Sequence, residues 1–163
     1  MLSAVLKAQK HTMYTLQTKS LIQAPLEEVW DFFSSPKNLQ KITPKAMGFE
    51  ILTGGQGKMY PGHIISYKVR PIAGIPTLWV TEITHVEDKS FFVDEQRIGP
   101  YTMWHHEHHF KQTDKGVEMT DIVSYSLPLG ILGRFAHWLF VKKKVEGIFK
   151  FRETVMPQYF KVS

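Results

Sequence analysis

Residues 131–160 carry one long helical repeat, and this feature restricts the possible folds more than any other. Side chains of the repeat recur at steps of three or four residues, as on one side of an amphipathic helix. They are Phe135, Trp138, Val141, Val145, Ile148, Arg152 and Val155. Phe149 widens the apolar stripe, and Met156-Pro157 marks its predicted end. A helix of this length with one apolar side must cover another layer of structure.

The residues before this helix alternate between apolar and polar side chains, as half-buried strands do. Residues 13–22 predict a first strand, and LEEVWDFFSS after Ala24-Pro25 predicts a short helix, with a second one at 36–42. Six further strands are predicted, around residues 49–51, 63–69, 78–86, 91–98, 102–110 and 117–127. Loops are expected at 54–57, 71–76, 87–89 and 111–116.

This order predicts an α+β fold in which a curved antiparallel sheet of about seven strands wraps around the C-terminal helix. One face of such a sheet packs on the helix and the other meets water, which explains the alternation. A length of 163 residues suits one domain, and we assign residues 13–163 to it. Residues 1–12 have no clear period, and we expect them to form a disordered N-terminal extension.

Composition excludes several classes of function. The chain has no cysteine, which removes disulfide and thiol chemistry. Its net charge is +5, but the lysines are scattered and no nucleic-acid motif accompanies them, so we predict no nucleic-acid binding. The first residues do not form a secretory signal, and no apolar stretch is long enough for a membrane span. We therefore expect a cytoplasmic protein.

The run SLIQAPLEEVWDFFSSP resembles the start of the START-like, or SRPBCC, superfamily. In that superfamily a first strand ends in an apolar-x-Ala/Ser-Pro segment that leads into an apolar-Trp-x-Phe helix. The residues that match this pattern are Ile22, Ala24, Pro25, Val29, Trp30 and Phe32. The superfamily shares the helix-grip fold also seen in the birch pollen allergen.

The second half of the chain narrows the resemblance to a group of small bacterial SRPBCC proteins. The runs that carry it are RIGPYTMWHHEHHF, TDIVSYSLPLGILG and IFKFRE. The matching residues are Gly99, Pro100, Trp104, His106, His108, Phe110, Asp121, Val123, Tyr125, Pro128, Gly130, Gly133, Phe149 and Arg152. The resemblance covers about residues 13–157 and implies an internal cavity for a hydrophobic ligand. It implies no single activity, because the superfamily includes lipid carriers, hormone receptors, and polyketide aromatases and cyclases.

The most unusual local feature is the run His105-His106-Glu107-His108-His109. On a strand, His106 and His108 share a face with Trp104 and Phe110, because alternate side chains point to opposite sides. The partner strand places Asp121 on its own apolar face, where it would lie opposite His106 or His108. The other face carries His105, Glu107 and His109, which could hold an ion from a purification column but do not indicate a function.

A carboxylate on an apolar face must be paired, and a histidine pairs it. The His–Asp pair then has four interpretations. It could fix the register of the hairpin, orient a ligand oxygen, act in acid–base catalysis, or bind zinc with Asp121 or His63 as third ligand. Nothing in the spacing requires a metal, and we predict neither a metal nor a cofactor. No catalytic residue is assigned, although His106, His108 and Asp121 are the candidates.

Aromatic residues make up 13% of the chain, which suits a mostly apolar pocket with a few polar groups. Arg152 lies on the apolar stripe of the last helix and needs a partner, such as Asp121 or Glu95 or a ligand carboxylate. The predicted ligand-binding residues are Tyr67, Trp79, Trp104, His106, His108, Asp121, Tyr125, Phe135, Trp138 and Arg152.

Three functions fit these patterns. The first is binding or carriage of a small hydrophobic molecule, such as a lipid, an isoprenoid or a polyketide-like compound, between sheet and helix. The second is an enzyme of the cyclase, aromatase or hydratase kind that uses the His–Asp pair or Tyr125. The third is an interaction module whose cavity is filled by its own side chains. We favour the first, and the sequence does not indicate an oligomeric state.

Overall fold

We describe residues 12–72 and 74–160 of a computed structural model. Residues 1–11, which hold nearly all of the predicted extension, lie outside this range. The seven strands are β1 (Met13–Ile22), β2 (Glu50–Thr53), β3 (His63–Ile72), β4 (Ile75–Glu87), β5 (Phe91–Ile98), β6 (Met103–Thr113) and β7 (Gly116–Ser126). The helices are α1 (Leu26–Phe33), α2 (Pro36–Leu39), α3 (Gly130–Ala136) and α4 (Lys142–Val155).

All seven strands form one antiparallel sheet in the order β1-β7-β6-β5-β4-β3-β2. The register shifts within the β2–β3, β3–β4 and β4–β5 pairs. Such irregularities bend strands and increase the twist of a sheet. The structure confirms the predicted α+β helix-grip fold, in which one strand, two short helices, six strands and a long helix follow in order.

Helix α1 begins where the sequence predicts, directly after Pro25. Pro25 has an extended backbone and occupies the N-cap position. Glu27 and Glu28 lie in its first turn, near the positive end of the helix dipole. Its inner side buries Val29 and Trp30, and Trp30 packs edge-on against two phenylalanines of the sheet. The helix therefore closes one end of the core.

The C-terminal helix runs continuously from α3 into α4 through a wide π turn at His137–Val141. A π turn inserts one extra residue and so rotates the helix before the insertion relative to the helix after it. Consequently, only the later part of the predicted apolar stripe faces the sheet. The buried residues are Gly133, Val141, Val145, Phe149, Arg152 and Met156. Phe135 and Trp138 lie on the exposed side.

Gly133 is needed where α3 meets the end of β7. A Cβ on this residue would lie 2.1 Å from the carbonyl oxygen of Pro128, which is far inside van der Waals contact. Glycine thus allows the helix to pass closely over the chain that leads into it.

Two predicted loops are shorter in the structure. The loop predicted at 71–76 is shorter because β3 continues to Ile72 and β4 begins at Ile75. Pro71 is accommodated in the strand since the register shifts between Val69 and Ile72, which leaves it without a ladder partner. The β6–β7 loop shrinks from 111–116 to the two residues between Thr113 and Gly116.

Among the described residues, no helix is long and apolar enough to cross a membrane.

Candidate functional site

A cavity of about 470 Å³ lies between the concave face of the sheet, the short helices and α4. This volume is in the range typical of small-molecule sites. The short-helix region contributes Leu39, Ile42 and Met47, and α4 contributes Val145 and Ile148. Most of the wall is therefore apolar.

One wall is built from aromatic side chains of the strands and of the β5–β6 connection. Trp79 and Trp104 pack edge-on with ring centroids 5.3 Å apart, and Tyr101 lies 4.9 Å from Trp104. The indole Nε1 of Trp79 donates a hydrogen bond to Thr81. Burial, helped by the negative charge of Asp94, raises the pKa of Tyr67, so its phenol stays protonated. These contacts pack the aromatic side chains against one another along the wall.

A buried cluster of ionisable side chains forms the part of the lining next to Trp104. Asp94 of β5, His106 and His108 of β6, and Arg152 of α4 line the cavity, and Asp121 of β7 lies behind them. Asp94 pairs with His106 in the β5–β6 register, and His108 pairs with Asp121 in the β6–β7 register. Three adjacent strands and the helix therefore bring these groups together.

His106 bridges the two carboxylates. Its Nε2 lies 2.9 Å from Asp121 Oδ1, and its Nδ1 lies 3.3 Å from Asp94 Oδ2. The first contact is a hydrogen bond, and the second is an ion-pair contact. Two carboxylates beside one imidazole favour its protonated form, and the His106 side chain is only 6% exposed.

The charges of the cluster balance when His106 is protonated. Arg152 Nη1 donates to Asp121 Oδ1 over 3.1 Å, so two cations then face two carboxylates. His108 donates from Nε2 to Asp94 Oδ2 over 3.0 Å and needs no charge to do so. Its ring lies 3.7 Å from that of His106.

The acid–base behaviour follows from this arrangement. Burial would raise the pKa of Asp94, but the charge of His106 and hydrogen bonds from both histidines hold it well below its usual range. Burial likewise opposes ionisation of Asp121, but Arg152 and the histidines lower its pKa. For His106, burial alone would lower the pKa, and the two carboxylates raise it. The folded protein thus favours the charged form of all three groups.

Three buried polar atoms of cavity-lining residues have no hydrogen-bond partner among the described residues. They are Arg152 Nε, His108 Nδ1 and Asn38 Oδ1. His108 Nδ1 lies 3.0 Å from Asp121 Oδ1, but without the geometry of a hydrogen bond. Orphaned buried polar groups are rare and costly, which makes these atoms candidates for contact with a bound molecule.

Asp94, His106 and His108 could also hold a metal ion, because one ligand atom from each lies within 4.8 Å of the others. Two imidazoles and a carboxylate are a common donor set for transition metals. The third ligand differs from the predicted Asp121 or His63. Asp121 is bound to Arg152, and His63 is buried against Tyr60. In the structure the carboxylate of Asp94 pairs with both histidines.

The structure brings together six of the ten predicted ligand-binding residues at the cavity. They are Tyr67, Trp79, Trp104, His106, His108 and Arg152. Asp121 lies one layer behind, and Tyr125 is buried with its hydroxyl 2.9 Å from Nε2 of His137. The prediction that Phe135 and Trp138 line the cavity is wrong, because the π turn directs them outward.

Asp94 is a functional candidate that the sequence patterns did not single out. The alternation of β5 could have indicated its inward position, since Asp94 lies two residues from the buried Phe92 and shares its face. Glu95, which the sequence offers as a partner for Arg152, points outward and pairs with His105 and Arg97. The other predicted partner of Arg152, Asp121, is correct.

The comparison with protein-family models shows to which family the chain belongs. The model for polyketide cyclase/dehydrase and lipid transport proteins matches residues 22–148. The chain belongs to this family. The resemblance to the START-like superfamily is thereby confirmed, and the matched range includes all of the cavity cluster except Arg152. No curated protein sequence matches the chain significantly.

Several proteins of known structure share the fold of this polyketide cyclase and lipid transport family member but little of its sequence. A protein from Thermus thermophilus has a TM-score of 0.66 at 17% identity, covering 89% of this chain and 98% of its own. Norcoclaurine synthase of Thalictrum flavum has 0.63 at 14%, covering 92% and 98%. The protein Ara h 8.0201 has 0.57 at 18%, covering 90% and 99%. These likenesses establish the shared fold.

Proposed function

We propose that this protein binds one small, mainly apolar molecule in the cavity between the sheet and the C-terminal helix. The observation that carries the proposal is the cavity itself, which has aromatic and aliphatic walls and one polar region. With His106 protonated, the charges of that region balance within the protein. The ligand then needs no net charge to enter, and burial of its apolar surface would supply most of the binding free energy.

The orphaned polar atoms suggest what the ligand carries besides apolar surface. Arg152 Nε can only donate a hydrogen bond, and Asn38 Oδ1 can only accept one. A carbonyl or hydroxyl oxygen on the ligand would satisfy the first, and a hydroxyl would satisfy the second. We infer a lipid, isoprenoid or polyketide-like molecule with one or two such oxygens.

The family description supports carriage as much as catalysis, because it names polyketide cyclases, dehydrases and lipid transport together. One structural neighbour is a synthase, which keeps the enzyme alternative open. The geometry favours binding, since both ring nitrogens of His106 are engaged with carboxylates and Asp121 does not reach the cavity. Tyr125, the other predicted acid–base group, is bound to His137.

If the protein is an enzyme, His108 is the residue that the geometry leaves for proton transfer. It lines the cavity, and its Nδ1 makes no hydrogen bond. Acid–base work would then be shared between His108 and Asp94, its partner at 3.0 Å. This second function predicts turnover that is lost in His108→Gln and kept in His105→Gln, whose side chain lies on the outer face.

The first experiment is native mass spectrometry of the purified protein, together with solvent extraction and analysis of any released molecule. We expect an adduct that leaves only on denaturation, or saturable uptake of a fluorescent fatty-acid probe. Ile148→Trp should reduce this occupancy because it adds bulk at the cavity wall. Leu52→Trp is the matched control, since Leu52 is half exposed on β2 and outside the cavity.

A protein that is empty, takes up no probe and responds alike to both tryptophan variants would contradict the proposal. It would then favour the third function, an interaction module with the fold but no ligand. Cytoplasmic location and the lack of nucleic-acid binding stay predictions of the sequence.

A further inference from the structure

The beginning of the C-terminal helix carries a row of large apolar side chains that face solvent. Each is more than half exposed, and Trp138 is 73% exposed. We call this row the apolar ridge. Its members are Leu129, Ile131, Leu132, Phe135, Trp138 and Leu139. Isolated exposed apolar residues are common on proteins, but a contiguous group of this kind marks an interaction surface.

The ridge is one continuous surface. Ile131, Phe135, Trp138 and Leu139 follow one another at the spacing of a single helix side, and the rings of Phe135 and Trp138 lie 6.0 Å apart. Gly133 on the same helix is buried against the chain below. The segment is therefore amphipathic, but its larger apolar side faces outward.

Most charged groups beside the ridge are positive. The sequence contains no acidic residue between Asp121 and Glu146, and Arg134, Lys142 and Lys143 are all exposed there. Lys142 lies 3.8 Å from Glu146 in an exposed pair, which is weakly held. Among the described residues, Arg134 and Lys143 have no acidic partner. The ridge is thus bordered by a net positive charge.

This combination identifies the chemistry of the partner. A protein interface core is depleted in lysine, whereas a helix with Trp, Phe and Leu on one side and Lys or Arg beside them is typical of binding to a lipid surface. Tryptophan in particular settles at the headgroup level of a bilayer. We propose that the apolar ridge docks on an anionic membrane surface, with α3 lying flat in the interface.

Docking in this way would bring the bilayer next to the cavity. Leu127 and Val141, which flank the ridge in the chain, both line the cavity wall. The inference concerns the outer surface alone and does not depend on whether the cavity binds a molecule.

The test is co-sedimentation of the purified full-length chain with vesicles. Vesicles of about 30% phosphatidylglycerol in phosphatidylcholine should bind the protein at low salt, and raising the ionic strength to about 0.3 M should weaken binding because exposed charges are screened. Pure phosphatidylcholine vesicles should bind it less. On binding, the fluorescence of Trp138 should shift to the blue, and Trp138→Phe should remove that shift.

The apolar contribution is tested with Leu132→Ser/Leu139→Ser. Because two leucines would no longer be buried in the interface, vesicle binding should weaken by about 100-fold. The matched control is Leu21→Ser/Leu52→Ser, which removes two leucines of similar exposure from the sheet. The control should bind as the wild type does.

The charge contribution is tested with Lys142→Gln/Lys143→Gln against Lys111→Gln/Lys115→Gln, where the second pair lies at the β6–β7 turn. The first variant should bind anionic vesicles about 30-fold more weakly, since each lysine near the surface contributes about 1 kcal/mol.

Three results would overturn the proposal. The wild type could fail to bind anionic vesicles at low salt, or the ridge and control variants could lose binding equally. Sedimentation analysis could instead reveal a dimer that Leu132→Ser/Leu139→Ser dissociates, and the ridge would then be covered by a second copy of the chain.

Discussion

Replacing Asp121 by asparagine tests the charge balance of the buried cluster most directly. The substitution keeps the shape of the side chain, which is 4% exposed, and removes its charge. His106 at 2.9 Å and Arg152 at 3.1 Å then face a neutral amide in place of a carboxylate. Hydrogen bonds to charged groups are each worth about 1.5–3 kcal/mol, and breaking a buried ion pair costs about 3–5 kcal/mol. We expect Asp121→Asn to lower the free energy of unfolding by about 3–5 kcal/mol.

The assay is urea unfolding at pH 6, followed by tryptophan fluorescence. Asp94→Asn is the companion variant, because Asp94 is more exposed at 18% and does not contact arginine. We expect it to cost about 1–3 kcal/mol, which corresponds to one buried group left unsatisfied. The double variant Asp121→Asn/Arg152→Gln removes one charge of each sign. It should be less destabilised than the sum of its single variants, since the two residues are coupled.

A cost below about 1 kcal/mol for Asp121→Asn would refute this reasoning, because a surface pair contributes that little. Strict additivity in the double variant would refute it as well. Either result would mean that water or rearrangement compensates the charge that Asp121 neutralises.

The described contacts support three further predictions. Because the pKa of His106 is raised in the folded state, its contribution to stability is present below about pH 6.5 and is lost as pH rises through the folded pKa. The urea midpoint of the wild type should therefore fall between pH 6 and 9, whereas that of His106→Gln should change less. A wild-type midpoint that stays constant over this range would contradict the prediction. Trp30→Ala should cost about 3–5 kcal/mol in the same assay, since the indole is 2% exposed, and a loss near zero would be inconsistent with its packing. Gly133→Ala should lower the melting temperature because its Cβ has no room, and an unchanged value in calorimetry would argue against the close approach.

The sequence predicts the β6–β7 hairpin and its part of the site well. The alternation of the two strands shows which side chains share a face, but the predicted 111–116 loop left open whether Asp121 lies opposite His106 or His108, and the structure pairs it with His108. His106, His108 and Asp121 consequently lie together as expected. Arg152 could be placed near them because a charge on an apolar stripe needs a partner.

The remaining features depend on geometry that a pattern does not encode. Asp94 reaches the cluster through the β5–β6 register, and residues 99–102 between these strands do not set that register as a two-residue turn would. The orientation of Phe135 and Trp138 depends on a single extra residue in the π turn. A helical wheel assumes a constant angle per residue, so it rotates this part of the helix the wrong way.

The position of β1 in the sheet has a consequence for the order of folding. β1 is made first but pairs with β7, and Thr15 contacts Ser124 across a separation of 109 residues. Closing so long a loop costs entropy before any contact repays it, which slows folding. On the ribosome, β1 must wait until nearly the whole sheet has been synthesised. A circular permutant that begins at the β6–β7 turn would separate β7 in sequence from its hairpin partner β6 and leave its connection to the C-terminal helix unchanged. Its refolding rate would reveal whether the β6–β7 pairing nucleates the sheet.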